Sequence, residues 1–356
     1  MRLVTLAAAF ICSILLAVSA EAQPACARSD GLEMRDVAWR RARDRHSLVG
    51  VVLKGERPIP IDPDRCARSS LQQLIIEIWS AIPGGGIVLL GEVHDNPEHH
   101  AVRGDILRPR LEPVLDVGDL SPAAAFEHIR RNQQPQLDAF YGNVRSGRAP
   151  MASELLDALD WKDSGWPPAG TYLPLFDAAL KAKMMVVPAL PDRERMRTLV
   201  RGNRTGASEN ELALLKAAEA MPAPLRDALV AELGGSHCGA IPPSAFAVMS
   251  MAQRFIDAHM AARTLEAAVA HGGAFLLAGN GHVRTDRGVP WYLKRGGPAR
   301  EVISVMLVEV DDGKADPTAY LPRDPYGHPA ADYVLFTPRH ERPDPCEKMR
   351  QGKKPN

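Results

Sequence analysis

The stretch Ile87-Val88-Leu89-Leu90-Gly91-Glu92-Val93-His94-Asp95-Asn96-Pro97-Glu98-His99-His100 decides how this chain is read. Four consecutive apolar residues make a short strand with no polar face, and a strand of that kind is covered on both sides. Gly91 ends it and polar residues follow at once. Asn96-Pro97-Glu98 then supplies an N-cap, a first-turn proline and an acid favoured by the helix dipole, so a helix begins there. Strand, polar loop and helix in that order form one βα unit.

The same unit recurs along the chain. Ala123 to Phe126 is a second apolar run, closed by Glu127-His128. Met184 to Val187 stops at Pro188. Ala274 to Ala278 is closed by Gly279-Asn280-Gly281-His282, and Val302 to Val310 is a further strand. Helical stretches separate these runs. The pattern predicts an α/β fold: a mostly parallel sheet covered by helices on both faces, with a large helical insertion over 191–271 and an irregular C-terminal tail. Leu48 to Leu53 and Ile59 to Ile61 read as a hairpin leading in. Ser69 caps a helix bearing Leu71, Leu74, Ile75 and Ile78. Within the insertion, Phe246, Met249, Gln253, Ile256 and Met260 step by three and four, the spacing of a core-facing helix stripe.

Three segments divide the chain: 1–22, 23–310 and 311–356. Residues 1–22 carry Arg2, an uncharged run from Leu3 to Val18 and small residues before Ala22, the pattern of a cleaved secretory signal peptide. Residues 23–310 hold the α/β domain. Residues 311–356 are rich in proline and charge, with one apolar island, Tyr333 to Phe336, read as an added strand. Cys12 and Cys26 lack the small residue and upstream leucine of a lipid-modified cysteine, so the expected location is periplasmic or secreted, without a lipid anchor. No later run is long enough for a transmembrane span. Cys26, Cys66, Cys238 and Cys346 remain after cleavage, an even count for an oxidising compartment, and at least one disulfide is expected among three pairings.

Composition excludes some partners. Of 356 residues, 43 are Lys or Arg and 43 are Asp or Glu, so no net charge draws the chain to nucleic acid or to an anionic membrane. The residues leave a homodimer open.

The chemistry sits at the strand ends. In a parallel sheet the carboxyl ends share one rim, and ligands bind there. Glu92 and His94, Glu127, and His282 reach that rim from three segments. His94 and His282 each follow Gly-x-x, a spacing in which glycine lets the chain turn sharply off the sheet. Two imidazoles with Glu92 or Glu127 make a nitrogen and oxygen ligand set for a divalent transition metal ion, and the spare carboxylate is then available to activate a bound water. His237, after Gly234-Gly235, is a further candidate for the site. Alternation along a strand turns Glu127 and His128 to opposite faces, so at most one of them belongs to it. His99 and His100 fall on the first turn of their helix, where one of them can reach the crevice. No dinucleotide or phosphate loop, no HExxH and no serine elbow is present.

Several of these segments carry a resemblance. Gly91 to His100 is similar to the opening motif of the ChaN-like haem-binding uptake family, part of a superfamily with the Tiki proteases and erythromycin-esterase-like enzymes. Phe126-Glu127 with Gln133-Gln134, Trp161 to Trp166, Tyr172-Leu173-Pro174-Leu175, Ser236-His237-Cys238-Gly239, Ala252-Gln253-Arg254 with Asp257, and Gly279 to Arg284 resemble the following motifs in order. The resemblance implies that Glu92, His94, Glu127 and His282 fall on the superfamily's shared polar site. It implies haem as the ligand in the ChaN branch, and metal or acid/base chemistry in the hydrolytic branches. Haem needs an apolar slot, an axial donor and cations for its propionates. Tyr172, His94, His282 and Met249 are available as donors, and Arg254 and Arg284 as cations. The expectation is thus an exported protein binding haem or iron in a Glu/His crevice. The alternative is a metal-dependent hydrolase with His94, His282 and Glu127 as ligands and Glu92 as general base, so enzyme activity is left open. A vestigial site is the third reading.

Overall fold

The computed structural model describes Arg35, Trp39 and residues 42–65, 67–108, 121–296, 300–344 and 346–347. The signal segment at 1–22, Cys26 and Cys66 lie outside the described residues.

Eight strands form one sheet in the order β2-β1-β8-β7-β3-β6-β4-β5. The strands are β1 (Val52–Lys54), β2 (Arg57–Pro58), β3 (Ile87–Leu90), β4 (Ala123–Arg130), β5 (Val186–Leu190), β6 (Ala274–Leu277), β7 (Val302–Glu309) and β8 (Tyr333–Thr337). From β8 to β5 every neighbour runs parallel, and β1 joins antiparallel to β2 and β8. Every residue of β3 and β6 is buried. Side chains alternate between faces, so the sheet centre is covered on both, as the unbroken apolar runs require.

The helices are α1 (Ser70–Ala81), α2 (Pro97–Leu107), α3 (Gln134–Arg145), α4 (Ala152–Ala158), α5 (Ala169–Lys181), α6 (Arg193–Val200), α7 (Glu209–Glu219), α8 (Ala223–Ser236), α9 (Phe246–His271) and α10 (Val289–Gly296). Ser69 caps α1 by accepting the Gln72 N–H, and Asn96 caps α2 by accepting the Glu98 N–H. Helices α6 to α9 form the insertion between β5 and β6, and the long α9 packs on β4, β5 and β6.

Three local expectations change, and the cysteine pairing becomes specific. Strand β5 does not stop at Pro188 but runs through it. It is the last strand of the sheet, so the missing N–H of Pro188 has a free edge to face. Of the expected stripe on α9 only Met260 is buried, and Phe246, Met249, Gln253 and Ile256 are half-buried. The buried face runs through Ser250, Arg254, Phe255, Asp257, Ala258, Met260, Ala261, Thr264, Ala267 and Ala268. The tail's strand is not an appended edge, because β8 lies inside the sheet between β1 and β7. The expected disulfide joins Cys238, just past α8, to Cys346 in that tail, a separation of 108 residues.

Candidate functional site

Register builds the rim. Leu90 of β3 lies beside Leu277 of β6, and Leu277 lies beside Phe126 of β4. Strands β3 and β6 end level there, while β4 runs on to Arg130 and carries Glu127 and His128 past their ends. Strand β6, made last of the three, fills the gap between β3 and β4, so segments far apart in the chain become neighbours.

Glu92 is the centre of one half of the site. Its side chain is fully buried. Oε1 accepts from the Tyr172 hydroxyl at 2.8 Å, from His94 Nδ1 at 2.7 Å and from His128 Nε2 at 2.9 Å. Oε2 pairs with the buried guanidinium of Arg103 and lies 3.3 Å from His100 Nε2. Burial lowers Arg103 to about 10, with Tyr172 and Glu127 acting against that shift. It therefore keeps its charge near neutrality beside the Glu92 carboxyl group. Glu92 is wholly buried, with Oε1 filled by three donors and Oε2 against Arg103, so the geometry does not favour the general-base role expected of it.

His282 is the centre of the other half. Its Nδ1 lies 2.5 Å from Asp257 Oδ1, and its Nε2 lies 3.3 Å from Glu127 Oε1. Gln253 Nε2 approaches the same ring at 3.1 Å. Burial alone would strip the ring of its proton, but Glu127 and Asp257 outweigh it and raise the pKa well above the ordinary imidazole value. Glu127 shows the same balance from the other side. Burial pushes its carboxyl up, and the imidazoles of His282, His94 and His128 hold it well below the usual range. Its Oε2 also accepts the Gly279 N–H at 2.7 Å.

His94 joins the halves. Its Nδ1 is on Glu92, and its Nε2 points toward Glu127 Oε1 at 3.9 Å. Its side chain is 37% exposed, against 10% for His282 and 0% for Glu92, which makes His94 the member of the cluster nearest the opening. Burial leads the lowering of its pKa, with His282 adding and Glu127 opposing, so the ring is neutral. With Nδ1–H donated to Glu92 Oε1, the lone pair is on Nε2. The indole of Trp166 packs on it at 5.0 Å between ring centroids.

The two glycines act through space rather than through an unusual backbone. Neither Gly91 nor Gly279 has a positive φ. A Cβ on Gly279 would come 2.8 Å from His94 Nε2, and one on Gly91 would meet Asn280 and Val283. The loops after β3 and β6 interlock too closely for a side chain.

The structure brings Glu92, His94, Glu127 and His282 together and leaves three expected residues out. His237 ends α8 with Nδ1 on the Leu233 carbonyl oxygen at 2.7 Å. Arg254 donates to the carbonyls of Ala218 and Ser250. Arg284 is held by Asp286 and the Arg323 carbonyl. Each satisfies its polar atoms locally.

Other residues join the expected four. His128 and Glu127 both take part, because the pairing of β4 with β5 shifts register between Phe126 and Arg130 and breaks strict alternation. His100 and Arg103 reach Glu92 from the first turns of α2. His99 turns away to Thr337. Asp257 and Gln253, four residues apart on α9, reach His282 from one helix face. An Asp and a Gln at that spacing inside an apolar helix were the available signal.

A sequence profile of the family described as haem-binding uptake, Tiki superfamily, ChaN matches residues 78–293, more than half of the chain. No curated protein matches in sequence. Among solved structures the fold is similar to that described as cofacial heme binding to ChaN of Campylobacter jejuni, with a TM-score of 0.56 and 20% identity over 80% of this chain and 95% of that one. The ordered strand-end motifs, the sheet that gathers them and the profile match agree, and the chain belongs to the ChaN haem-binding uptake family of the Tiki superfamily.

Proposed function

We propose that this chain is an exported haem-binding protein that takes haem at the crevice between the loops after β3, β4 and β6, with His94 as the donor to the iron. The family description and the haem-binding neighbour from Campylobacter jejuni support haem as the ligand class. The observation that carries the reading is the state of His94: a neutral, part-exposed imidazole whose Nδ1 is held by a carboxylate, leaving the lone pair on Nε2, 3.9 Å from Glu127 Oε1. A carboxylate behind the ring fixes the tautomer and strengthens the donor, which is what an axial histidine needs. Trp166 offers a flat apolar surface beside it. Bound haem would bring an iron centre here; the chain's part is to hold it. Arg254 and Arg284, satisfied elsewhere, are not assigned to the propionates.

Titration of the purified chain with haemin should give a saturable Soret shift near about one haem per chain. His94→Ala should weaken it at least about tenfold. An absent or unsaturable shift would reject haem, and an unchanged affinity in the variant would reject His94. For export, N-terminal sequencing of the protein recovered from a bacterial periplasm should start at Gln23; a retained leader would reject it.

One observation favours a second reading, a divalent transition metal ion. Both His94 and His282 have a carboxylate on Nδ1, Glu92 and Asp257 respectively, and both direct Nε2 at Glu127 Oε1. Carboxylate-backed imidazoles facing one carboxylate oxygen are a ligand set with its supporting shell in place. Hydrolysis is not favoured, because Glu92 is wholly buried. Elemental analysis should find an ion that the His94→Ala/His282→Ala variant fails to retain. Equal retention in both proteins would place any ion elsewhere.

A further inference from the structure

A cavity of about 410 Å³ adjoins the crevice and shares His128 and Trp166 with it. Two guanidiniums enter it from strand ends. Arg130 closes β4 and Arg193 opens α6. Arg130 donates to the Pro191 carbonyl oxygen at 3.3 Å and feels the charge of Asp192, and among the described residues neither arginine makes an ion pair. Burial first, then the charge of Arg193, lowers the pKa of Arg130, so the two cations stand within each other's field. Two carboxylates, Asp160 and Asp163, enter from the turn that follows α4. Among the described residues neither makes an ion pair.

The rest of the lining is equally specific. Trp166 spends its indole N–H on the His128 carbonyl oxygen at 3.0 Å, which holds the ring in place. Gln136 brings a side-chain oxygen that is buried without a hydrogen-bond partner. A buried acceptor of this kind is costly until a donor reaches it.

The charges select the ligand. Two cations and two anions sum to zero around one space. A dianion would gain the arginines and be repelled by the aspartates, and a dication would meet the reverse. A molecule carrying one carboxylate and one ammonium has both charges met. Arg is suited to the carboxylate, which its planar fork can grip with two donors. Trp166 supplies an apolar wall for whatever the ligand carries between or beside its charges.

We propose that this cavity binds a zwitterionic amino acid or dipeptide, its carboxylate on Arg130 and Arg193, its ammonium on Asp160 and Asp163, and its apolar part against Trp166. Because Trp166 also packs on His94, the occupied cavity would share a wall with the crevice.

The full chain is titrated calorimetrically with leucine and with glycyl-leucine, then with the N-acetylated and C-amidated form of whichever binds. The free ligand should bind saturably, and each blocked form should bind at least about tenfold more weakly. In Arg130→Gln/Arg193→Gln the free and amidated forms should become equivalent. In Asp160→Asn/Asp163→Asn the free and acetylated forms should become equivalent. All four side chains are at the rim, so melting temperatures should stay near that of the parent. Saturable binding of neither probe overturns the proposal. So does equal binding of free and blocked forms. Loss on amidation with no loss on acetylation makes the cavity a plain anion site and also overturns it. Haemin is absent from this assay, so the haem reading can fail without changing its outcome.

Discussion

At the scale of single residues, the site is governed by which proton sits where. Glu92 gathers Tyr172, His94, His128, His100 and Arg103, and that load fixes His94 in one tautomer. Buried neutral imidazoles elsewhere tie stability to pH. Burial holds His99 near 3 and His259 near 4, while each titrates near 6.5 when unfolded. Between those values the unfolded chain binds the extra protons and the folded chain does not. The contribution of these two rings is therefore full above about pH 6.5 and falls as pH drops toward 4, at about 1.4 kcal/mol per pH unit for a fully buried ring such as His99. Nδ1 of His99 accepts the Val93 N–H at 2.9 Å, so its protonation also loosens the loop that carries His94. Thermal melts between pH 7.5 and 4.5 should show the decline. His259→Gln, which keeps a donor for the Ala189 carbonyl, should make the slope shallower. An identical slope in that variant would show that His259 does not contribute.

At the scale of elements, the loops after β3 and β6 are built against each other. Asn280 N–H donates to the Glu92 carbonyl oxygen at 2.9 Å, and its side chain reaches the Leu307 carbonyl. Gly279 is the point of closest approach, beside His94 Nε2. Gly279→Ala puts a methyl where that nitrogen stands and forces the ring off Glu92. The expected cost in stability is about 1–3 kcal/mol, that of a local overpacking, while haemin affinity should drop at least about tenfold. Paired melting and Soret titrations measure both. Unaltered affinity would mean that His94 Nε2 is not the donor. The glycine–x–x–histidine spacing was visible in the chain, but its reason was not. Spacing points to a turn, and the close approach of a second loop exists only once β6 lies beside β3.

At the scale of the whole molecule, the tail is part of the structure. Strand β8 sits between β1 and β7, Arg342 pairs with Glu309 and with Asp95 beside His94, and Cys346 is bonded to Cys238. The disulfide closes a loop of more than a hundred residues that includes α9, β6 and β7. Such a cross-link restricts the unfolded chain, and Cys238→Ser/Cys346→Ser should lose about 2–4 kcal/mol in denaturant melts. A loss well under 1 kcal/mol would mean that the ion pairs and β8 hold the tail without it.

Local pattern alone determined the strands, the helix starts at Ser69 and Asn96, and the four side chains at the rim. Apolar runs, caps and breakers act over a few residues and are written in order along the chain. Tertiary structure decided which of the remaining polar residues serve the site. Arg103, Asp257 and His128 join it, and His237, Arg254 and Arg284 do not. That choice depends on strand register, a shift in the β4–β5 pairing and the face α9 turns to the sheet. It also depends on whether each buried polar atom finds a partner nearby, since an unpaired one is too costly to leave buried.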